Sequence, residues 1–235
     1  MSLLCERVRA FSRWHLEGPL LQLLLRRRYE GRLAQLSHWR IPTGLLGPES
    51  ICYCAGVGED LAFEVGLLKQ FDSTVYAFDP TPRAIRFAED SMRNAEKFHF
   101  SPVGLWSEDT TLRFYAPTND QYVSHSVLRT GMSGEYFEAP CRRLATLMKE
   151  RGHGRIDLLK LNIEGAEYEV LRSMMDDHIR PKILAFTFEG ASAFIEAVRW
   201  TRTLSCYGYQ FAGLIGWAAT FVLDESVDAC RGVSP

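Results

Sequence analysis

Gly56 and Gly58 end an apolar run, Ile51-Cys52-Tyr53-Cys54-Ala55, and are followed at once by Glu59 and Asp60. A buried run that stops in two glycines and then meets acids has the form of a strand, a tight turn and a helix start. The bare backbone there lets a ligand lie close against Cys54, Ala55, Gly56, Val57 and Gly58. Asp79 stands 21 residues after Gly58, at the end of the next apolar run, Val75-Tyr76-Ala77-Phe78. That is about the offset at which a carboxylate meets ribose hydroxyls, so the two features together point to a nucleoside-type cofactor with Asp79 as its acceptor and Pro80 beside it. Gly-x-Gly alone also closes ordinary turns; the acid at this distance adds the specificity.

A dinucleotide fingerprint calls for a small residue three positions after Gly58, where helix and strand close around a pyrophosphate, and Leu61 stands there. S-adenosyl-L-methionine has no pyrophosphate and needs no such fit. A nicotinamide-dependent dehydrogenase is the disfavoured alternative.

Three further positions could handle protons or hold polar atoms. His125 lies in a polar stretch from Pro117 to Pro140 and has a reference pKa near neutrality, which suits a general base. Glu189 follows an apolar run from Ile183 to Phe188 and is the second candidate base. Asn162 and Glu164 follow a third run, Ile156 to Leu161, with Glu167 three residues beyond Glu164. Carboxylates at a helix opening are also favoured by the helix dipole alone, which is the plain alternative for Glu167. Gly104 and Leu105, a small residue next to an apolar one, suit the surroundings of an adenine ring; a plain core strand is the competing reading.

The elements that must position these residues alternate. Helical spacing of Leu61, Val65, Leu68 and Phe71 predicts a helix starting near Asp60, and Thr81-Pro82 opens another carrying Ile85, Ala88 and Met92 on one face. A third strand is expected from Phe98 to Trp106 and a short one from Leu112 to Tyr115. The stretch from Pro117 to Pro140 reads as a lid or substrate loop. Helices are expected from about Arg143 to Arg151, Ala166 to Asp176 and Ala193 to Leu204. Two adjacent strands, Tyr209 to Leu214 and Ala218 to Leu223, form a terminal antiparallel hairpin. Strand-helix alternation predicts an α/β, Rossmann-like, doubly wound and mostly parallel sheet with helices on both faces and ligands at the carboxyl ends of its strands.

The 235 residues suffice for one such domain, taken as 46–235, after an N-terminal helical, basic cap segment, 1–45. That segment holds Arg7, Arg9, Arg13 and Arg26-Arg27-Arg28 around a short run of leucines broken by Glu17 and Pro19. It is too short and interrupted to span a bilayer, has no signal-peptide cleavage pattern, and could touch a membrane surface peripherally. A net charge of −2 with interspersed signs shows no nucleic-acid footprint. Six cysteines without a Cys-x-x-Cys pair, and histidines without a cluster, argue for buried thiols in a reducing, cytoplasmic setting and against a metal site.

Four segments together resemble the FkbM-type methyltransferases: Tyr53 to Asp60, Ala77 to Pro82, Val123-Ser124-His125-Ser126, and Asp157 to Tyr168 with its Lys-x-x-Ile-Glu-Gly-Ala-Glu core. The resemblance covers roughly residues 50 to 225. It implies a seven-stranded class I methyltransferase fold, S-adenosylmethionine as donor, and a hydroxyl-bearing acceptor, often a sugar or natural-product intermediate. The chain departs from the family twice: Asn162 stands where aspartate is usual, and Thr187-Phe188-Glu189 where a Glu-Phe-His-like run is common. A cofactor-binding but catalytically idle relative is the alternative that these departures favour.

Overall fold

The computed structural model describes residues 20, 21, 25, 28–117, 132–190 and 192–226. Its centre is a seven-stranded sheet built from β3 (Ile51–Ala55), β4 (Thr74–Phe78), β5 (Phe98–Ser101), β9 (Leu158–Leu161), β10 (Ile183–Thr187), β11 (Tyr209–Ile215) and β12 (Ala218–Leu223). The spatial order is β11-β12-β10-β9-β3-β4-β5. Every pair from β10 to β5 is parallel, while β12 runs antiparallel to both β10 and β11. The expected doubly wound sheet with a closing antiparallel pair is therefore present, with β12 inserted beside β10.

Period-two alternation explains how β3 is buried on both faces. Tyr53 and Ala55 join one core cluster with α3 (Leu144–Arg151), α4 (Glu167–Asp176) and α5 (Ala193–Cys206). Cys52 and Cys54 join the other, with α1 (Ala62–Phe71) and α2 (Pro82–Met92). The chain leaves β3 for β4 on one side and β9 flanks it on the other, so the strand order reverses beside β3. A ligand crevice belongs at that point, beyond the strand ends.

Four expectations are corrected. Residues 33–42 lie within the segment expected to be helical, yet they form a hairpin of β1 (Leu33–Leu36) and β2 (Trp39–Pro42) that buries Leu36, Trp39 and Ile41 against α1. The strand expected from Phe98 to Trp106 is broken after Ser101, because Pro102 has no N–H for a ladder and Val103 N turns back to Ser101 O at 2.9 Å. Its second part, β6 (Gly104–Leu105), pairs instead with β8 (Met132–Arg142), which also pairs antiparallel with β7 (Thr110–Pro117). The loop expected from Pro117 to Pro140 thus supplies most of a strand, disguised by Gly134 and Pro140 within it. Finally, α1 starts one residue later than expected; Asp60 Oδ1 still accepts from Ala62 N at 2.8 Å.

Cys52, Cys54 and Cys141 are buried free thiols; burial pushes Cys52 up to about 12 and Cys141 to about 11. Among the described residues no helix is long and apolar enough to cross a membrane.

Candidate active site

The turn after β3 is held by its neighbours from three directions. Gly56 has φ +80° and its N–H donates to Phe78 O at 3.0 Å. A Cβ built on Gly56 would lie 1.8 Å from Asn162 O, so glycine is required by the close approach of the β9 tip as well as by the dihedral. Gly58, at φ +57°, faces open space instead. The N–H groups of Val57 and Gly58 both donate to Asp79 Oδ2, at 3.0 and 2.9 Å. Thr81 N and Oγ1 donate to Asp79 Oδ1, at 2.9 and 2.7 Å. A carboxylate has about four acceptor positions. Those of Asp79 are filled by the turn and by the start of α2, and its side chain is nearly buried. The acid expected to meet a ribose braces the turn.

The β9 tip is closed in the same manner. Glu164 and Gly165 both have positive φ, and Glu167 reaches back from the first turn of α4. Its Oε1 accepts from Ile163 N at 2.7 Å and its Oε2 from Gly165 N at 2.8 Å. Burial pushes the Glu167 carboxyl up to about 7, aided by the Glu189 carboxylate and opposed by the amides that it accepts. Asn162 N donates to Ala55 O at 3.0 Å, tying this tip to the first. Asn162 Oδ1 accepts from Thr187 Oγ1 at 2.8 Å.

Between the two tips lies a cavity with about 720 Å³ of empty space, its open mouth included. Gly56, Val57, Gly58, Asp79 and Pro80 form one wall, Asn162 and Glu164 another, and Gly104 with Leu105 a third. Cys54 and Ala55, which the spacing also placed against the ligand, are buried in β3 behind the turn. Glu189 lines a second hollow with Thr187, His38, Trp39 and Trp217, and Asn162 borders both hollows. His125 lies outside the described residues.

Three contributions escaped the sequence reading. Phe78 and Phe114 add apolar wall, and Phe114 comes from β7, whose position depends on the small second sheet. His38 and Trp39 come from a hairpin in the segment expected to be helical. The third is the role of Lys160, which the sequence reading quoted only as part of the Lys-x-x-Ile-Glu-Gly-Ala-Glu core: it is 4% exposed in the midst of β9, and Nζ donates to Gly56 O at 2.6 Å. Its ion-pair partner is Glu64 of α1, fully buried with Oε1 3.6 Å away. Burial raises the Glu64 carboxyl above its ordinary value, against the pull of Lys160. A lysine within Leu158-Leu159-Lys160-Leu161 was the available signal, since an ammonium is buried only when paired.

The family description "Methyltransferase FkbM domain" matches residues 52–211, from within β3 to the start of β11. A search of curated proteins found no match. Among solved structures, an rRNA methylase from Streptococcus thermophilus is 15% identical, with a TM-score of 0.43 over 77% of this chain and 92% of that one. Fibrillarin from Aeropyrum pernix, crystallised with natively bound S-adenosyl-L-methionine, is 8% identical at a TM-score of 0.44, covering 75% and 66%. A human methyltransferase 10 domain containing protein is 11% identical at 0.46, covering 94% and 96%. The family match spans well over half of the chain and contains both strand-tip turns, so the chain belongs to the FkbM-domain methyltransferases, enzymes that depend on S-adenosyl-L-methionine.

Proposed function

We propose that this methyltransferase acts on a hydroxyl oxygen of a small-molecule, sugar or natural-product acceptor, with the cofactor in the cavity between the β3 and β9 tips. One observation carries the reading: that cavity and the second hollow meet at Asn162, so a donor in one and an acceptor in the other would approach each other there. The cavity suits the cofactor. Gly58 leaves open space beside the turn, and the lining combines apolar Phe78, Leu105 and Phe114 with polar Asp79 and Glu164.

When bound, S-adenosylmethionine supplies a methyl group on a positively charged sulfur. The chain's task is to align an acceptor oxygen with that group, and positioning can supply most of the acceleration. Asn162 offers an acceptor and a donor but cannot take up a proton near neutrality, so its role is to orient. The proton of the acceptor is assigned to Glu189, which borders the second hollow, or to His125. A near-neutral net charge and the aromatic pair Trp39 and Trp217 favour a small, uncharged acceptor over a nucleic acid.

Mass spectrometry of ligand carried through purification tests the cofactor site, with S-adenosylhomocysteine expected and a nicotinamide dinucleotide contrary to the reading. Incubation with S-adenosylmethionine and a panel of glycosides, hydroxylated ring compounds and RNA then tests the acceptor. A one-methylene mass gain on a hydroxyl compound supports it; a gain confined to RNA replaces the acceptor class. Absence of any gain, with cofactor bound, favours the catalytically idle relative.

A further inference from the structure

One peptide unit in the cavity wall, Gly56–Val57, is gripped at both ends by charge. Its carbonyl accepts from the Lys160 ammonium at 2.6 Å, and its N–H donates to the Asp79 carboxylate at 3.0 Å. In a planar trans peptide these two groups point in opposite directions, so the cation sits at the negative end of the peptide dipole and the anion at the positive end. Rotating the unit by half a turn would aim the carbonyl at Asp79 and the N–H at Lys160, reversing both interactions. Gly56, with positive φ and no side chain, is the residue that would otherwise let the unit rotate cheaply. Desolvation strengthens the grip: Lys160 is 4% and Asp79 5% exposed.

Glu64 is what allows the ammonium to be there. It is fully buried on α1, 3.6 Å from Lys160 Nζ, and is not part of the cavity lining. A buried ammonium needs such a partner.

We propose that Lys160 is a positioning residue for the cofactor: it holds the Gly56–Val57 peptide in one orientation and so sets the wall against which S-adenosylmethionine lies. This rests on the reading of the cavity as the cofactor site. The competing role is a purely structural ion pair tying α1 to β9.

Calorimetric titration with S-adenosylhomocysteine, alongside thermal unfolding of the same unliganded samples, separates the two. Lys160→Met with Glu64→Gln removes the grip on Gly56 without leaving a buried charge. That double variant should unfold within a few degrees of the wild type yet bind roughly 10- to 100-fold more weakly, the range for loss of a hydrogen bond to a charged group. Glu64→Gln alone strands the buried Lys160 ammonium without its ion-pair partner and should unfold well below both the wild type and the double variant. Binding by the double variant at wild-type affinity overturns the proposal, as does a binding loss accompanied by a fall in unfolding temperature well beyond a few degrees, which is the signature of the purely structural ion pair. If the double variant does not fold, Lys160→Met with Glu64→Leu, an apolar pair of similar volume, is judged by the same criterion. Failure of the wild type to bind would instead count against the cofactor reading of the cavity.

Discussion

Thr187 Oγ1 donates a 2.8 Å hydrogen bond to Asn162 Oδ1, joining the ends of β9 and β10 at two of the positions where the resemblance leads one to expect other residues. The residues that the resemblance leads one to expect would put an aspartate beside a glutamate. Two carboxylates at that distance must share a proton or a cation, because like charges so close cannot both ionise freely. An amide and a hydroxyl satisfy each other and need neither.

If the pair acts as a unit, Asn162→Ala and Thr187→Val will not be additive. Urea unfolding of the two single variants and the double should give a coupling of about 0.5 to 1.5 kcal/mol, the net worth of one neutral hydrogen bond. Additivity within about 0.3 kcal/mol would show that the bond does not form in solution.

Asp79→Ala should destabilise the protein in the absence of any ligand. The substitution removes the acceptor for the amides of Val57, Gly58 and Thr81. Stranding even part of this set should cost about 2 to 4 kcal/mol. An acid serving only to meet a ribose would leave the unliganded protein unchanged. Unfolding of ligand-free samples at wild-type stability would therefore remove the turn-bracing role.

Glu167 makes stability depend on pH. Burial raises its folded-state value to about 7, above the ordinary 4.5, so between those values the folded chain holds a proton that the unfolded chain has released. Its contribution is complete below about pH 4.5, is lost as pH rises through about 7, and is constant above. The difference corresponds to about 3 kcal/mol. Denaturant titrations at pH 5 and pH 8 should show a smaller decline for Glu167→Gln than for the wild type; equal declines refute the assignment.

The two turn glycines should respond differently to alanine. At Gly58 only the dihedral resists, since a Cβ would meet nothing within 4 Å, and the cost should be about 1 to 2 kcal/mol. At Gly56 the Cβ would also strike the Asn162 carbonyl, which cannot move without shifting β9. Gly56→Ala should cost at least about 3 kcal/mol or fail to fold. Equal stability of the two variants would mean that the tips are not in close contact.

The sequence by itself determined the parallel sheet, the helices on both faces and the two turns that border the cavity. Each of these rests on local chemistry: apolar runs ending in glycine, and helical spacing after Asp60 and Thr81. It also singled out Asn162, Glu164 and Asp79, because polar residues at the ends of buried strands stand out. Tertiary structure decided what each does. Asp79 turns to the amides of Val57 and Gly58, Glu167 to those of Ile163 and Gly165, and Lys160 to the Gly56 carbonyl. The hairpin that brings His38 and Trp39 to the second hollow, and the small sheet that brings Phe114 to the first, were hidden because their strands are short or interrupted by glycine and proline. A strand's partners lie far away in sequence, and a carboxylate or ammonium bonds whichever buried dipole the packing brings within about 3 Å. Spacing along the chain shows where charge is available, and only packing shows which dipole receives it.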